Sequence, residues 1–386
     1  MVMLLLGVIY LSFISLGLPD ALLGAAWPSI YPQFGVSVSW AGVISMIISL
    51  GTITSSLLSD RLTRRLGAGK ITAVSVGMTA LALLGFSRCS AFWQMCLWAI
   101  PYGLGAGSVD AALNNYVALH YASRHMSWLH CMWGIGAAAG PYIMGYALTG
   151  GHGWSAGYRY VGLLQLGLTV LLVLSLPLWK KEASGENSAS GRGLRIGQIL
   201  RIPGAAQILI AFFCYCALEQ TAGLWASSYL VLAHGISSQS AAGYASLFYA
   251  GITVGRLISG FLTIRLDDRR MIHLGEAILA LGVAALLLPL GKSGALAGLV
   301  LVGLGCAPIY PCIIHSTPVH FGAENSQALI GLQMACAYTG SLLMPPLFGL
   351  LTRFISAALL PVFLGVILLL MVWMYQLLLK RTAVRS

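Results

Sequence analysis

Long apolar stretches separated by short polar loops run through the whole chain. A helix that spans a bilayer needs about 20 mostly apolar residues, and a window of that length predicts twelve of them. In the first half they cover residues 2–31, 39–59, 70–90, 93–119, 126–149 and 158–179, and in the second half residues 204–233, 239–263, 271–290, 294–319, 326–351 and 355–379. The pattern therefore predicts an all-α integral membrane protein with twelve transmembrane helices.

One polar segment interrupts this pattern near the middle of the chain. Residues 180–203 are rich in Ser, Gly and charged side chains, a composition typical of a linker. We therefore predict an N-terminal six-helix bundle over residues 1–179, a linker over 180–203, and a C-terminal six-helix bundle with a short tail over 204–386. The first apolar run has no basic segment before it and no Ala-x-Ala cleavage site, so it is read as a retained helix.

Two stretches of the chain repeat each other. Residues 103–121 read GLGAGSVDAALNNYVALHY, and residues 303–321 read GLGCAPIYPCIIHSTPVHF. The Gly-Leu-Gly start and the penultimate His occupy the same positions in both copies. Asp110 of the first copy corresponds to Tyr310 of the second. The repeat predicts a duplicated membrane protein whose first half holds a charge that its second half lacks.

Composition agrees with the helix pattern and gives an orientation. The chain is 58% hydrophobic and 8% charged, against about 25% charged in soluble domains, which excludes a soluble protein. The net charge of +11 does not indicate nucleic-acid binding, because sixteen Lys and Arg residues fall on one set of loops and the tail, and four on the other. Since cytoplasmic loops carry this excess, we expect a cell-membrane protein with both termini in the cytoplasm.

The eight cysteines lie mostly inside apolar runs and show no ligand spacing. Buried thiols in helices behave as small hydrophobic groups. We therefore expect neither disulfides nor a metal site, and no cofactor motif is present.

The first predicted helix carries an acid near its middle, in the segment GLPDALLGAAWP. A carboxylate at mid-membrane costs roughly 2.5–3.5 kcal/mol, so its default interpretation is functional. Asp20, Gly24 and Trp27 follow the spacing of one helical face, and the prolines on either side expose backbone carbonyls, which a nearby polar cavity tolerates. We predict that Asp20 and Trp27 contact substrate and that Asp20 also takes part in coupling. The alternative is a protonated carboxyl held for structure.

The fourth predicted helix carries Asp110, Asn114 and Asn115. Asp110 and Asn114 are one turn apart, so the acid and the amide point the same way. Such a face offers both donors and acceptors to a polyhydroxylated substrate, and carboxyls in a low-dielectric cavity exchange protons near physiological pH. We predict Asp110 as the main proton-coupling residue and the two asparagines as substrate contacts. The alternative for the asparagines is helix–helix packing.

Further candidates lie in the later helices. Glu219 and Trp225 of the seventh helix combine an acid with an aromatic ring, a composition typical of sugar sites. The remaining predicted substrate contacts are single side chains: His130, Trp133, Tyr310, His315 and Gln333. For each of these the alternative is an ordinary structural role.

Two sets of charged residues are predicted to have a structural or a conformational role. Arg256 of helix 8 and Glu276 of helix 9 lie at similar depth and are predicted to form a structural ion pair. The cluster Asp60, Arg61, Arg64 and Arg65 follows helix 2. It is either a solvated basic loop or a conformational latch whose pairs change between inward-facing and outward-facing states.

That cluster resembles the signature of the major facilitator superfamily, Gly-x-x-x-Asp-Arg followed by further basic residues, with Ser56 in place of the opening Gly. The resemblance implies two six-helix bundles that rock about a midplane cavity. GLPDALLGAAWP, GLGAGSVDAALNNYV, LHCMWGIGAAAGP and GLGCAPIYP resemble the branch with fucose:proton symporters and sodium-dependent glucose transporters. That resemblance implies roles for Asp20 and Asp110 in proton coupling and sugar recognition, although fucose symporters have Glu at the second position.

These features predict a secondary active transporter, most simply a monomer, that imports a sugar or similar small polar solute with protons, with Na⁺ as the other candidate ion. Gly136-x-x-x-Gly140-Pro141 is similar to a motif of drug:proton antiporters, although such spacing first indicates close helix packing. The alternative function is therefore a proton-driven antiporter that exports small organic compounds or drugs. An enzyme is disfavoured because no catalytic constellation is present, and a transport-inactive receptor because it needs no midplane acids.

Overall fold

The structure of the chain, a computed structural model, describes residues 2–120, 123–179 and 196–382. Within these ranges the fold is all-α. We number its twelve long helices α1 to α12 in chain order. They are α1 (Val2–Asp20 and Leu22–Gln33), α2 (Ala41–Leu66), α3 (Ala68–Phe86), α4 (Phe92–His120), α5 (Ser123–Thr149), α6 (Gly153–Ser175), α7 (Ala205–His234), α8 (Ser238–Tyr244 and Ser246–Leu262), α9 (Asp268–Leu287), α10 (Gly291–Phe321), α11 (Ala323–Phe354) and α12 (Leu360–Thr382).

The helices have the length and composition of membrane spans. In the described part of the chain, ten helical segments are long and apolar enough to cross a membrane. The other two long helices, α4 and α5, contain 29 and 27 residues, which at 1.5 Å per residue is more than the ~30 Å hydrocarbon core requires. These two carry several of the polar candidates, which lowers their hydropathy. The predicted twelve-helix membrane fold is confirmed.

An even number of crossings fixes which helix ends share a side. Val2 and Thr382 lie on one side, together with the residues that flank segment 180–195. We call this the terminal side, and the opposite one the distal side. The predicted linker falls largely on residues 180–195, which lie outside the described residues. A short helix follows at Ile196–Ile199, and the proposed domain boundaries stay a prediction.

The largest difference from the predicted helix boundaries is at the end of helix 2. It was expected to end at residue 59, but α2 continues to Leu66 and ends at Gly67, which has a positive φ of 83°. Residues 60–66 contain no helix breaker, so nothing stops the helix before that glycine. The charged cluster at 60–65 therefore lies on the last turns of α2 instead of in a loop.

The sequence repeat has a common packing role. Gly103 lies so close to α2 that a Cβ there would collide with the carbonyl oxygen of Ile48, and Gly303 lies equally close to the carbonyl oxygen of Phe248 in α8. The second glycine of each Gly-Leu-Gly packs in the same way against α3 or α9. Small residues allow helices in a membrane to approach at backbone distance. The glycines therefore set α4 between α2 and α3, and α10 between α8 and α9.

The Gly-x-x-x-Gly motif of α5 is likewise a packing motif. Cβ atoms on Gly136 and Gly140 would collide with the carbonyl oxygens of Ile14 and Leu18 in α1. The motif thus joins α5 to α1 within the first half. This contact accounts for its spacing without any role in efflux.

The two halves of the chain meet closely on the distal side. A Cβ on Gly24 of α1 would lie 2.6 Å from the carbonyl oxygen of Leu224 in α7, and one on Gly145 of α5 would lie 2.7 Å from the backbone nitrogen of Gly243 in α8. Near the middle of α1, by contrast, Asp20 is exposed. The space between the halves is therefore closed on the distal side and opens toward the terminal side.

Candidate functional site

Asp20 lies where α1 breaks into its two segments. Pro19 has no N–H, so the carbonyl of Ser15 lacks its helical donor. Gln165 of α6, which is fully buried, donates from Nε2 to that carbonyl at 2.6 Å. The Gln165 Oε1 accepts the hydroxyl of Thr79 at 2.6 Å. This buried amide satisfies the broken helix and fixes the position at which Asp20 enters the space between the halves.

The Asp20 carboxylate is held by two neutral donors of the first half. The Tyr102 hydroxyl of α4 donates to Oδ1 at 3.0 Å, and the Trp133 indole of α5 donates to Oδ2 at 2.9 Å. Among the described side chains, Asp20 forms no ion pair with any Arg, Lys or His. Hydrogen bonds orient the carboxylate, but no described cation balances its charge.

A cation of the second half reaches the same place through Trp133. The Arg256 Cζ of α8 lies 5.0 Å from the centroid of the Trp133 ring, within cation–π range. Arg256 Nη2 also lies 3.9 Å from Glu219 Oε1 of α7, and these side chains are 15% and 10% exposed. The indole of Trp133 therefore links Asp20 of the first half with the Arg256–Glu219 pair of the second.

The predicted ion pair between Arg256 and Glu276 is wrong. Glu276 Oε2 lies 3.0 Å from Nδ1 of His273, one turn earlier on α9. The His273 ring in turn packs edge-on against Tyr375 of α12, with centroids 5.6 Å apart. Similar depth did not imply a shared direction, because Arg256 points between the two halves and Glu276 faces α12.

Asp110 and Asn114 of α4 form the contact that their spacing predicts. Asn114 Nδ2 donates to Asp110 Oδ1 at 2.9 Å and to the Asp110 backbone oxygen at 3.0 Å. Asp110, like Asp20, forms no ion pair with a described residue. The side chain of Asn115 lies outside the described residues. The first half thus presents two midplane carboxyls that no described cation pairs with.

Tyr310 is the counterpart of Asp110 in α10 and belongs to an aromatic cluster. Its ring centroid lies 5.0 Å from that of Phe212 and 6.1 Å from that of Tyr215, both on α7. Its hydroxyl points to the sulfur of Met334 at 3.4 Å. Where the first half has an acid and an amide, the second half has packed rings.

His130 lies one turn before Trp133 on α5 and is partly buried. Its ring meets Phe13 of α1 edge-on, with centroids 5.9 Å apart and planes at 88°. The structure therefore brings His130 beside the cluster of Asp20, Trp133 and Arg256 without a direct hydrogen bond to it among the described residues.

Trp27 and Trp225, predicted as substrate contacts, are corrected to packing residues. Trp27 is fully buried and donates to the carbonyl oxygen of Val38 at 2.7 Å, and Trp225 is 1% exposed and donates to the carbonyl oxygen of Pro345 at 2.9 Å. Asp20 and Trp27 do not share a face because α1 breaks between them. Each indole therefore donates within its own half, Trp27 to the segment before α2 and Trp225 to α11.

Gln333 and His315 also lie away from the site. Gln333 is fully buried, and its side chain is 3.2 Å from the hydroxyl of Thr317. His315 has a side chain 81% exposed, with Nδ1 2.6 Å from Asp268 Oδ2 at the start of α9. Gln333 joins two neighbouring helices, and His315 lies toward the terminal side. The structure therefore does not support a substrate contact at either position.

The candidate latch lies at the terminal end of α2. The side chains of Asp60, Arg61 and Arg64 lie outside the described residues, and Arg65 is exposed. The latch stays a prediction.

Sequence reasoning missed Tyr102 and Gln165. A signal for Gln165 was present, because Pro19 necessarily frees a carbonyl in α1, and a lone amide in the apolar α6 is a natural donor for it. No periodicity pointed to Tyr102, since its relation to Asp20 depends on how α4 packs against α1.

Comparison with known proteins agrees with this architecture. The family model described as Major Facilitator Superfamily matches residues 9–291 and 208–386. Bypass of stop codon protein 6 of Saccharomyces cerevisiae is 24% identical over 281 residues, 66% of this chain and 56% of the yeast protein. The glucose/mannose transporter GlcP of Bacillus subtilis is 20% identical over 310 residues, 78% of this chain and 77% of GlcP.

A solved structure shows the same fold. The crystal structure of the nucleoside transporter NupG superimposes with a TM-score of 0.81 at 14% identity, covering 96% of this chain and 98% of that one. Both halves of the chain fall within the matched family model, and the arrangement of twelve helices matches that of a transporter. The chain belongs to the Major Facilitator Superfamily of transporters.

Proposed function

We propose that the protein is a secondary active transporter that moves a small polar solute, a sugar or a similar compound, by alternating access coupled to protons. The observation that carries this proposal is the pair of midplane acids, Asp20 and Asp110. Among the described residues, both have neutral hydrogen-bond donors and no cation. An uncompensated carboxylate inside the membrane is costly, and proton binding relieves that cost.

The polar groups around these acids suit a hydroxylated solute. Tyr102, Trp133 and Asn114 are donors, while the two carboxylates accept hydrogen bonds. A sugar offers hydroxyls that can serve both kinds of partner, and the similarity to a glucose/mannose transporter supports this class of solute. Protons are favoured over Na⁺ as the coupling ion, because Na⁺ requires a set of several oxygen ligands and the described carboxylates already bond to Tyr102, Trp133 and Asn114.

The orientation proposed from the basic loops places the terminal side in the cytoplasm. We propose a monomer in the cell membrane with both termini cytoplasmic. Under this orientation the site opens to the cytoplasm, and the distal contacts at Gly24 and Gly145 are the ones that separate when the site opens outward.

The experiment is solute uptake into proteoliposomes with an imposed proton gradient or an imposed Na⁺ gradient. Neutral and acidic sugars form the panel, and Asp20→Asn and Asp110→Asn are the test variants. We expect accumulation driven by the proton gradient, and its loss in both variants. Asp268→Asn, whose carboxylate bonds to His315 away from the site, is the control and should accumulate solute normally. Accumulation driven only by Na⁺, or undiminished in both test variants, would refute the proton-coupling assignment.

A further inference from the structure

The guanidinium of Arg256 has no hydrogen-bond acceptor among the described residues. It carries five N–H donors, yet its contacts are the ring of Trp133, 5.0 Å from Cζ, and Glu219 Oε1, 3.9 Å from Nη2. The second distance exceeds the 2.7–3.2 Å range of an N–H···O hydrogen bond. With a side chain 15% exposed, Arg256 presents N–H donors between the two halves that no described residue accepts.

A guanidinium that is largely screened from water gains from an acceptor that bonds to its N–H donors directly. The planar guanidinium fork matches carboxylate and phosphate groups, which accept two parallel hydrogen bonds. Of the two, a carboxylate brings the smaller negative charge beside Glu219. Glu219 stands too far away to fill that role. The Trp133 ring contacts the guanidinium as a cation–π partner and takes none of the N–H···O bonds that a carboxylate would take.

The position of Arg256 relates these donors to the site. Trp133 lies between Arg256 and Asp20, and Asp20 is exposed to the space that opens on the terminal side. A solute that enters from that side meets the carboxylate of Asp20 near one end and the guanidinium near the other. The first group suits hydroxyls, and the second suits an anion.

We infer that Arg256 binds a carboxylate of the transported solute, which is therefore a hydroxylated organic acid, such as a sugar acid, and not a neutral sugar. This inference rests on the proposed function, since it names the substrate class of the same site. The hydroxylated part lies toward Asp20 and the carboxylate toward Arg256. Arg256 is then a specificity-determining residue.

The test uses matched pairs of solutes and the full-length purified protein. D-Galacturonate differs from D-galactose only in the oxidation of C6, and D-glucuronate from D-glucose in the same way. Binding is measured by thermal shift in detergent and transport by counterflow in proteoliposomes. We expect binding and counterflow with at least one of the acids and none with its neutral partner. Arg256→Gln should weaken binding of the acid by roughly 100-fold, the scale for a buried charge that loses its partner.

Further variants separate recognition from folding. Arg256→Lys keeps the charge but loses the fork, so it should melt like the wild type and bind the acid about tenfold more weakly. Arg270→Gln, an exposed arginine paired only with Asp267, is the matched control and should bind normally.

The outcomes distinguish this inference from the proposed function. Proton-driven transport of a neutral sugar, unaffected by Arg256→Lys and Arg256→Gln, would overturn the inference and leave the proposed function standing. Equal binding of the acid by the wild type and a correctly folded Arg256→Lys variant would also overturn it. Failure of every sugar and sugar acid to bind or move would overturn both.

Discussion

Helices α4 and α10 begin with the same Gly-Leu-Gly and then differ in their chemistry. In both, the glycines pack at backbone distance against the two neighbouring helices of their own half. Beyond that point α4 carries Asp110 bonded to Asn114, whereas α10 carries Tyr310 packed on two rings of α7. The two copies thus keep the same glycine packing but differ in their polar residues.

The same division extends to other pairs of equivalent positions. Gly140 packs on α1, and Gly340 packs on α7. Trp133 contacts Asp20 and Arg256, whereas its counterpart Gln333 is fully buried beside Thr317. Residues that pack helices together are thus shared by the two halves, whereas the residues of the candidate site differ between them.

The largest effect is expected from the shared glycines. Gly103→Ala and Gly303→Ala each place a Cβ against a backbone carbonyl that cannot move aside. Each should destabilise the protein by about 3 kcal/mol, the upper range for overpacking, and equally in the two halves. Thermal melting in detergent, with size-exclusion profiles, measures this loss.

Two other helical glycines serve as matched controls. A Cβ at Gly7 or Gly260 would meet nothing within 4 Å, so Ala there should be neutral or stabilising by up to about 1 kcal/mol. If the repeat glycines tolerated Ala as well as Gly7 and Gly260 do, the shared packing role would be wrong.

A smaller effect is expected at the break in α1, which the second half does not copy. Gln165→Leu leaves the Ser15 carbonyl without its donor and should cost about 2 kcal/mol. Pro19→Ala restores a backbone N–H, so the double variant should recover part of that loss. The second half has no such break, because α7 is one continuous helix without an internal proline.

A double-mutant cycle of melting measurements tests this prediction. Coupling of about 1 kcal/mol between positions 19 and 165 is expected, because residues that share one hydrogen-bond network are not additive. Strictly additive effects would show that the amide does not compensate for the proline.

The smallest effects on stability are expected at Trp133 and Gln333. Trp133→Phe and Gln333→Leu each remove about one hydrogen bond, worth about 1 kcal/mol. Only Trp133→Phe should lower transport, by about tenfold, because its N–H orients the carboxylate of Asp20. Initial uptake rates in proteoliposomes, normalised to folded protein, provide the comparison. Equal rates in the two variants would mean that the two positions do not differ in function.

Hydropathy and the repeat predicted much of this molecule. The twelve helices follow from apolar length, and the midplane acids stand out because charge is rare in such runs. The contact between Asp110 and Asn114 follows from helical spacing alone, since both lie on one uninterrupted helix.

The contacts between helices could not be predicted in the same way. The prediction that Asp20 and Trp27 share a helical face was wrong because α1 breaks between those residues. The predicted Arg256–Glu276 pair was wrong because similar depth in the membrane does not mean that two side chains point toward each other. Tyr102 and Glu219 find their partners only through the packing of separate helices. The positions of the acids could therefore be predicted from the sequence, but their contacts with other helices could not.

The most direct test of the central claim compares Asp110→Asn with Tyr310→Phe in the same uptake assay under an imposed proton gradient. We expect Asp110→Asn to exchange solute across the membrane but to lose uphill accumulation, because its amide cannot carry the proton. Tyr310→Phe, which loses only a weak contact with Met334, should accumulate solute as the wild type does. Full accumulation by Asp110→Asn, or equal loss in both variants, would contradict the assignment of coupling to the first half.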